Sequence, residues 1–218
     1  MKMKRIDNHG DMYFKEKELW NLGYNYIAGT DEVGRGPMAG PVVTASVIID
    51  KHHLIEGLND SKKLSYKRRD ELAEIIKREA FAYAITYIDN KEVDQINVLE
   101  ASRKGMEECI NKLEKCDYVL TDCMDLHNIN PPYEAFIKGD ATSASIAAAS
   151  ILAKVERDHY MEEMAKVYPN YGFEKHKGYV TKYHLEKIKE YGICDLHRKS
   201  YAPVIKIIEG KKILEEKT

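Results

Sequence analysis

The sequence predicts an α/β protein, a mixed central sheet flanked by helices, with a helical carboxyl-terminal extension. Three observations carry this. Short valine- and isoleucine-rich runs come first in succession and then alternate with segments of helical period, the pattern of layered α/β folds. The first two runs are joined by "GRGPMAGP", whose glycines and prolines suit a tight connection and hence an antiparallel pair. An alanine-rich stretch over 143–167 has side chains small enough for a helix to lie close against a sheet.

The elements follow in order. Asp11 is placed as the cap of a short helix that passes through Trp20 and Leu22 and stops near Gly23. Residues 26–31 and 40–49 read as the first two strands. Ser65 caps the next helix, with Leu72, Ile75, Ile76 and Ala80 inward and Lys67, Arg68, Arg69 and Asp70 in water. Phe81, Tyr83, Ile85 and Tyr87 alternate with smaller residues as a third strand. Leu99, Ser102, Met106, Cys109, Ile110 and Leu113 share one face of a second amphipathic helix. "YVLTD" at 118–122 is a short buried strand ending in a carboxylate. Phe136 and Ile137 form another, just before Gly139 and Asp140. From Tyr168 onward loops and short helices are expected, with Thr181 capping one, Leu185 and Ile188 inward and Gly192 as its stop. The expected division is a lead-in over 1–25, a core over 26–167 and an extension over 168–218 that shares the core's domain.

A chain of 218 residues suits one large domain or a domain with an appendage. Its 34 basic and 36 acidic residues leave a formal charge of -2, which excludes steering by a globally basic surface but not a local basic groove. Cys109, Cys116, Cys123 and Cys194 form no CxxC pair, so a zinc knuckle is not expected, and reduced thiols of a cytoplasmic protein are. "MKMKRIDNHG" has no apolar stretch behind its charges and is no signal peptide, and no apolar run approaches the ~20 residues of a membrane span.

Asp31, Asp122 and Asp140 each sit at the expected end of a strand or the entry to a helix. Neighbouring strands ending on one edge bring such carboxylates together, where they repel unless cations neutralise them. Oxygen-only ligands suit Mg²⁺ or Mn²⁺. A two-ion site of this kind, with the ions about 3.5–4 Å apart, suits phosphodiester cleavage. The competing reading makes each aspartate a turn former or helix cap, Asp140 most of all. Glu32 adjoins Asp31, but side chains alternate along a strand, so both reach one site only if the strand ends or bulges between them. Gly34 and Gly36 flank Arg35, so backbone amides and one cation are available to a polyanion. Among the basic clusters, Lys67 to Arg69 read as a solvated face, as do Lys175-His176-Lys177 and Arg198-Lys199. Lys62-Lys63, on a loop, is the more plausible phosphate contact.

Taken together, "IAGTDEVGRGPMAGPVV", "LNDSKKLS", "YVLTDC", "KGDATSASIAAASILAKVERD", "YGFEKHKGYVTKYHL" and "HRKSYAPV" resemble ribonuclease HII, the type 2 RNase H, of the bacterial type. The resemblance runs from about Glu18 to Val204. It implies an RNase H-like fold and an endonuclease that cuts the RNA strand of RNA–DNA hybrids. It also implies incision at single ribonucleotides in duplex DNA, as in ribonucleotide excision repair, leaving 3′-hydroxyl and 5′-phosphate ends. Carried over by motif, the catalytic and metal-binding carboxylates are Asp31, Glu32, Asp122 and Asp140, with two Mg²⁺ or Mn²⁺ ions. Gly34, Arg35 and Gly36 match the element that reads the ribonucleotide near its 2′-hydroxyl. Tyr179 matches a tyrosine that stacks on the ribose at the RNA–DNA junction. Three positions depart from the pattern: Cys123 and Val180 where glycine is common, and Tyr201 where phenylalanine is. The extra amino-terminal domain of ribonuclease HIII is not found, and "KKILEEKT" shows no aromatic sliding-clamp motif. A monomer is expected.

Two rivals remain at this point. One is another RNase H-like nuclease or phosphotransferase with the same metals and a different substrate. The other is a non-catalytic nucleic-acid-binding module, against which the acidic residues speak, because uncompensated negative charge weakens binding to phosphates.

Overall fold

The computed structural model describes residues 4–215, with side chains as far as residue 210. The clamp-motif reading of 211–218 falls outside the described side chains, as does the very start of the stretch read for a leader. The sheet has five strands: β1 (Ile27–Val33), β2 (Val42–Ile48), β3 (Ala82–Ile88), β4 (Tyr118–Asp122) and β5 (Tyr133–Phe136). Their spatial order is β3-β2-β1-β4-β5. β1 runs antiparallel to β2 and parallel to β4, and β4 runs parallel to β5, so the sheet is mixed. The helices are α1 (Phe14–Asn21), α2 (Tyr66–Glu79), α3 (Asn90–Asn111), α4 (Ala144–Val167), α5 (Phe173–His176), α6 (Lys182–Tyr191) and α7 (Ala202–Glu215). Among the described residues, no helix is long and apolar enough to cross a membrane. All four cysteines are free.

The chain divides into two compact units. The first runs to Val33 and adds Val43–Tyr87 and Ser102–Val155; the second holds Gly34–Val42, Ile88–Ala101 and everything from Glu156 onward. In the first unit, one apolar cluster joins Val43, Ala45 and Val47 of β2 to Leu72 and Ile76 of α2 and to Ala147, Ala148, Ile151 and Leu152 of α4. Another joins Ala28, Ile48 and Ala84 to Met106, Cys109, Ile110 and Leu113 of α3. The small residues of α4 serve as expected. A Cβ on Gly29 would lie 2.0 Å from the Ser145 carbonyl carbon, so only glycine admits the helix this close to β1. The buried Glu16 carboxylate anchors the start of α4, accepting from the Ser145 amide at 2.9 Å and from the Ser143 and Ser145 hydroxyls at 2.5 and 2.7 Å.

In the second unit, one cluster gathers Met38, Met161, Tyr171, Phe173, Ile188 and Val204. A smaller one gathers Val42, Ile88, Val93 and Ala101.

Several element expectations hold and several are corrected. Ser65 Oγ accepts from the Arg68 amide, and Thr181 Oγ1 from the His184 amide, as capping requires. Asp11 does not cap α1: its carboxylate accepts from the Tyr13 amide, closing the turn before the helix, and Tyr13 is the cap residue. β1 continues past Asp31 to Val33, because the antiparallel ladder carries on to Val33 opposite Val43. The third strand forms as expected, with Ala84, Thr86 and Ile88 buried and Tyr83 and Tyr87 exposed. Leu99 is not on the buried face of α3. Asn97 breaks the helix with a φ of 65°, and its side chain caps the restart by accepting from the Leu99 and Glu100 amides, which leaves Leu99 in an exposed first turn.

Candidate active site

The register of the sheet brings the first two carboxylates together. β1 and β4 are parallel with Thr30 opposite Thr121. The next residue on each strand is an aspartate, so Asp31 and Asp122 leave the same end of adjacent strands on the same face. Asp140 comes from a 3-10 turn over Gly139–Ala141, just beyond β5. The Gly139 amide donates to Asp122 Oδ1 at 2.7 Å and ties that turn to the strand end. One oxygen from each of Asp31, Asp122 and Asp140 lies within 4.8 Å of the others. Asp140 is therefore not the cap of α4. It sits inside its own turn, and Ser143 Oγ accepts from the Ile146 amide at the helix start instead.

The electrostatics are those of a site short of positive charge. Burial, then the Glu32 and Asp122 carboxylates, push the Asp31 carboxyl well above the ordinary aspartate range, against the Ser150 hydroxyl and the Glu32 amide, which favour its charged form. Burial and the Asp140 charge push Asp122 up as well, opposed by the Gly139 amide. Glu32 lies outside the trio, one residue further along β1, but near enough for its charge to act on Asp31. Lys62 Nζ, although largely in solvent, stands 3.5 Å from Asp140 Oδ2. Its amino group is held above its ordinary value: burial alone lowers it, and the Asp140, Asp31 and Asp60 charges more than offset that.

Convergent oxygen donors, mutual repulsion and near-complete burial of Asp31 and Asp140 fit a divalent cation with oxygen ligands. A prediction about stability follows. Because Asp31 and Asp122 have raised values when folded, the folded metal-free protein binds more protons than the unfolded chain. The site's cost is absent below the ordinary aspartate range and grows as pH rises through the folded values. Adding Mg²⁺ or Mn²⁺ should therefore raise the thermal midpoint, more at pH 8 than at pH 5, with a stabilisation of about 2.7 kcal/mol at a hundred times the Kd. A midpoint unmoved by either ion at both pH values would show that this cluster holds none.

The turn after Asp122 carries the first departure from the family pattern. Cys123 has a φ of 50°, in the left-handed region that glycine enters freely. Its amide donates to the Phe136 carbonyl at 2.9 Å and its thiol to the same oxygen at 3.4 Å, so the turn is kept in place with cysteine there.

The glycine-arginine-glycine element belongs to the second unit. Gly34 has a φ of 109°, and a Cβ on it would meet Arg157 Nε at 2.4 Å and the Pro41 carbonyl at 2.6 Å, so no other residue fits. The Tyr179 ring lies over Gly36, with Cε1 3.6 Å from where a Cβ would stand. Two fully buried arginines that sequence reasoning did not assign to the site hold this loop. Arg157 donates to the carbonyls of Pro41, Ala39 and Lys177 at 3.0, 3.0 and 2.8 Å. Arg198 donates to the Gly40 carbonyl through Nε and Nη2 and to Tyr201 Oη. Arg198 and His176 thus correct their reading as solvated charge, because each is spent on buried backbone. The Tyr201 hydroxyl, in place of phenylalanine, donates to the Arg35 carbonyl at 2.6 Å. Arg157 lies within one of the quoted motifs, but nothing in the sequence signals its burial: an arginine in a charged helical segment reads as surface until the fold encloses it.

Comparison with known proteins agrees with this geometry. The ribonuclease HII family model matches residues 28–204. The ribonuclease HII of Caldanaerobacter subterraneus subsp. tengcongensis is 49% identical over 209 residues, covering 95% of this chain and 85% of that protein. The crystal structure of ribonuclease H2 from Pyrococcus horikoshii superposes with a TM-score of 0.74 at 26% identity, covering 85% of this chain and 98% of that one. The ribonuclease HII in the PCNA complex from Archaeoglobus fulgidus gives 0.69 at 28%, covering 83% and 96%. With a mixed sheet that gathers its acids at one strand edge, and with these matches across nearly its whole length, the chain belongs to the ribonuclease HII family of endonucleases.

Proposed function

We propose that this chain cuts the RNA strand of RNA–DNA hybrids and incises duplex DNA at a single embedded ribonucleotide, leaving 3′-hydroxyl and 5′-phosphate ends. The observation that carries this reading is the convergence of Asp31, Asp122 and Asp140 oxygens at the ends of adjacent elements. Asp31, Asp122 and Asp140, with Glu32 beside them, would hold two Mg²⁺ or Mn²⁺ ions. Bound there, such ions supply a water acidic enough to attack phosphorus and positive charge for the departing 3′-oxygen. Asp31, flanked by acids on both sides, is the shared ligand in this reading. Lys62, whose Nζ is 3.5 Å from Asp140 Oδ2, would move to a substrate phosphate in this reading.

Selectivity comes from a different set of residues. The 2′-hydroxyl is what separates RNA from DNA at one position. The backbone of Gly34, Arg35 and Gly36 and the ring of Tyr179 are assigned to test for it. Tyr179 is the exposed aromatic of this group, which suits stacking on a ribose. Tyr179→Ala should lower kcat/KM on a single-ribonucleotide duplex about tenfold more than on a long hybrid, the scale of one lost stacking contact. An equal loss on both substrates would remove Tyr179 from junction sensing.

The Archaeoglobus relative is seen with PCNA. No clamp contact is assigned to "KKILEEKT" here, which holds no aromatic side chain. The enzyme is taken to act as a cytoplasmic monomer. The deciding experiment is incision of three duplexes, an RNA–DNA hybrid, a DNA duplex with one ribonucleotide and an all-DNA duplex, with Mg²⁺ or Mn²⁺ and with EDTA. Cutting of the first two only, and only with metal, is expected. Cutting of the all-DNA duplex would point to a different RNase H-like nuclease, and no cutting at all to a binding module.

A further inference from the structure

Three histidines of the second unit are buried against one another with no place in the chemistry above. His184 is 0% exposed, His197 1% and His176 9%. His176 and His184 are face to face, with centroids 4.2 Å apart, and Phe173 meets His184 edge-on at 5.4 Å. Burial pushes His184 down to about 3 and His197 down to about 4, so both rings are neutral.

A neutral imidazole carries one proton, and the neighbours dictate where it sits. The Cys194 amide can only donate, and it points at His197 Nδ1 from 2.9 Å, nearer than the Cys194 carbonyl at 3.3 Å. Nδ1 of His197 is therefore bare, and its proton is on Nε2. That nitrogen lies 3.1 Å from His184 Nε2, which must accept. The His184 proton is then on Nδ1, 2.9 Å from the Tyr179 carbonyl, which can only accept. Each assignment forces the next, from a backbone amide at residue 194 to a backbone carbonyl at residue 179. The other backbone group of Tyr179 is also held: its amide donates to the His176 carbonyl at 2.8 Å. His176 is itself fixed, accepting from the Gly178 amide at 3.2 Å and donating from Nε2 to the Tyr171 carbonyl at 2.9 Å.

We infer that His184 and His197 are positioning residues for ribonucleotide recognition, a one-way hydrogen-bond relay that orients Tyr179 through its carbonyl. The inference rests on the junction-sensing role assigned to Tyr179. The far end of the relay is equally anchored: Ala39 bridges His197, the Gly40 amide donates to the Leu196 carbonyl, and the Arg198 amide to the Met38 carbonyl. The relay therefore joins the loop after Arg35 to the backbone under the Tyr179 ring. An exposed ring on a well-held backbone can stack without ordering itself at the moment of binding.

Two substitutions separate this role from plain packing. His184→Asn keeps an N–H donor at the Nδ1 position, and His184→Gln keeps a group at the Nε2 position but loses the donor to Tyr179. His184→Gln should shift the ratio of kcat/KM on the single-ribonucleotide duplex to that on a long hybrid about tenfold, the worth of one hydrogen bond, and in the same direction as Tyr179→Ala. His184→Asn should stay near the wild-type ratio. Equal losses on both substrates by both variants, with Tyr179→Ala still shifting the ratio, would leave His184 a packing residue and overturn the relay alone. An unchanged ratio in Tyr179→Ala would overturn the junction-sensing role itself and with it the purpose of the relay. Independently of activity, two-bond ¹H–¹⁵N NMR of the histidine-labelled wild-type protein should show the proton of His184 on Nδ1 and that of His197 on Nε2. A His184 proton on Nε2 would overturn the relay whatever the kinetics.

Discussion

Asp31→Asn should abolish incision, lowering kcat by at least about a thousandfold, while the protein becomes more stable in the absence of metal. Both effects have one origin. Asp31 is buried among other carboxylates, and its charged form is disfavoured by burial and by Glu32 and Asp122. Removing that charge removes the ligand that the proposed ions would share, which costs several kcal/mol of transition-state stabilisation. It also removes the repulsion that the folded state carries at neutral pH. The amide keeps an oxygen for the Glu32 N–H, which donates to Asp31 Oδ1 at 2.8 Å in the wild type, so the strand end is not disturbed. Three readings check this: turnover on a single-ribonucleotide duplex, the metal-free thermal midpoint at pH 7, and binding of an uncut hybrid. Lost turnover with a raised midpoint and retained binding is the expected pattern. Wild-type-like turnover would take Asp31 out of the mechanism, and a fallen midpoint would contradict the electrostatic account.

Arg157→Met should destabilise the protein by about 3 kcal/mol, measured by urea unfolding, because three carbonyls that a single guanidinium satisfies would be left buried and unpaired. Methionine keeps the aliphatic stem and much of the volume, so the effect isolates the hydrogen bonds. The cost of burying the cation offsets part of the loss: burial, then the neighbouring Arg198, lowers the Arg157 value to about 10, still well above working pH. Arg157→Lys should recover little, since a point donor cannot reach three carbonyls set for a planar fork. Because the carbonyls belong to residues 39, 41 and 177, the loop after Gly36 and the segment before Tyr179 should exchange amide protons faster in both variants. An unfolding midpoint unchanged by Arg157→Met would mean that water replaces the guanidinium at no cost.

Much of the fold is legible in the sequence because its signals are local. "YVLTD" is a strand at residues 118–122 as read, and Ser65 and Thr181 cap the helices expected of them. Where local signals misled, a longer-range contact won. β1 extends past Asp31 because Val33 finds Val43 across the hairpin. Leu99 faces water because the Asn97 side chain restarts the helix beneath it. The alternation of Tyr83, Ile85 and Tyr87 with smaller residues marks β3 as a strand, but only packing shows that its buried face belongs to Ala84, Thr86 and Ile88.

The candidate site divides in the same way. That Asp31, Asp122 and Asp140 matter could be read from their places at strand ends and in motifs, because acids in such positions are chemically conspicuous. That their oxygens meet could not, since it depends on Thr30 standing opposite Thr121 in a parallel pair whose strands are far apart in the chain. Burial is likewise decided only by packing. Arg157, Arg198, His184 and His197 are of residue types common at surfaces, yet they lie inside: Arg157, Arg198 and His184 donate to backbone carbonyls, and His197 to His184. Sequence by itself determined the family, through its motifs taken together, and most of the order of elements, through short-range periodicity, and it singled out Asp31, Asp122 and Asp140 as candidates by their places at strand ends. The tertiary structure alone decided which polar groups are enclosed and whom they touch, because hydrogen-bond geometry and desolvation arise only when distant segments are brought together.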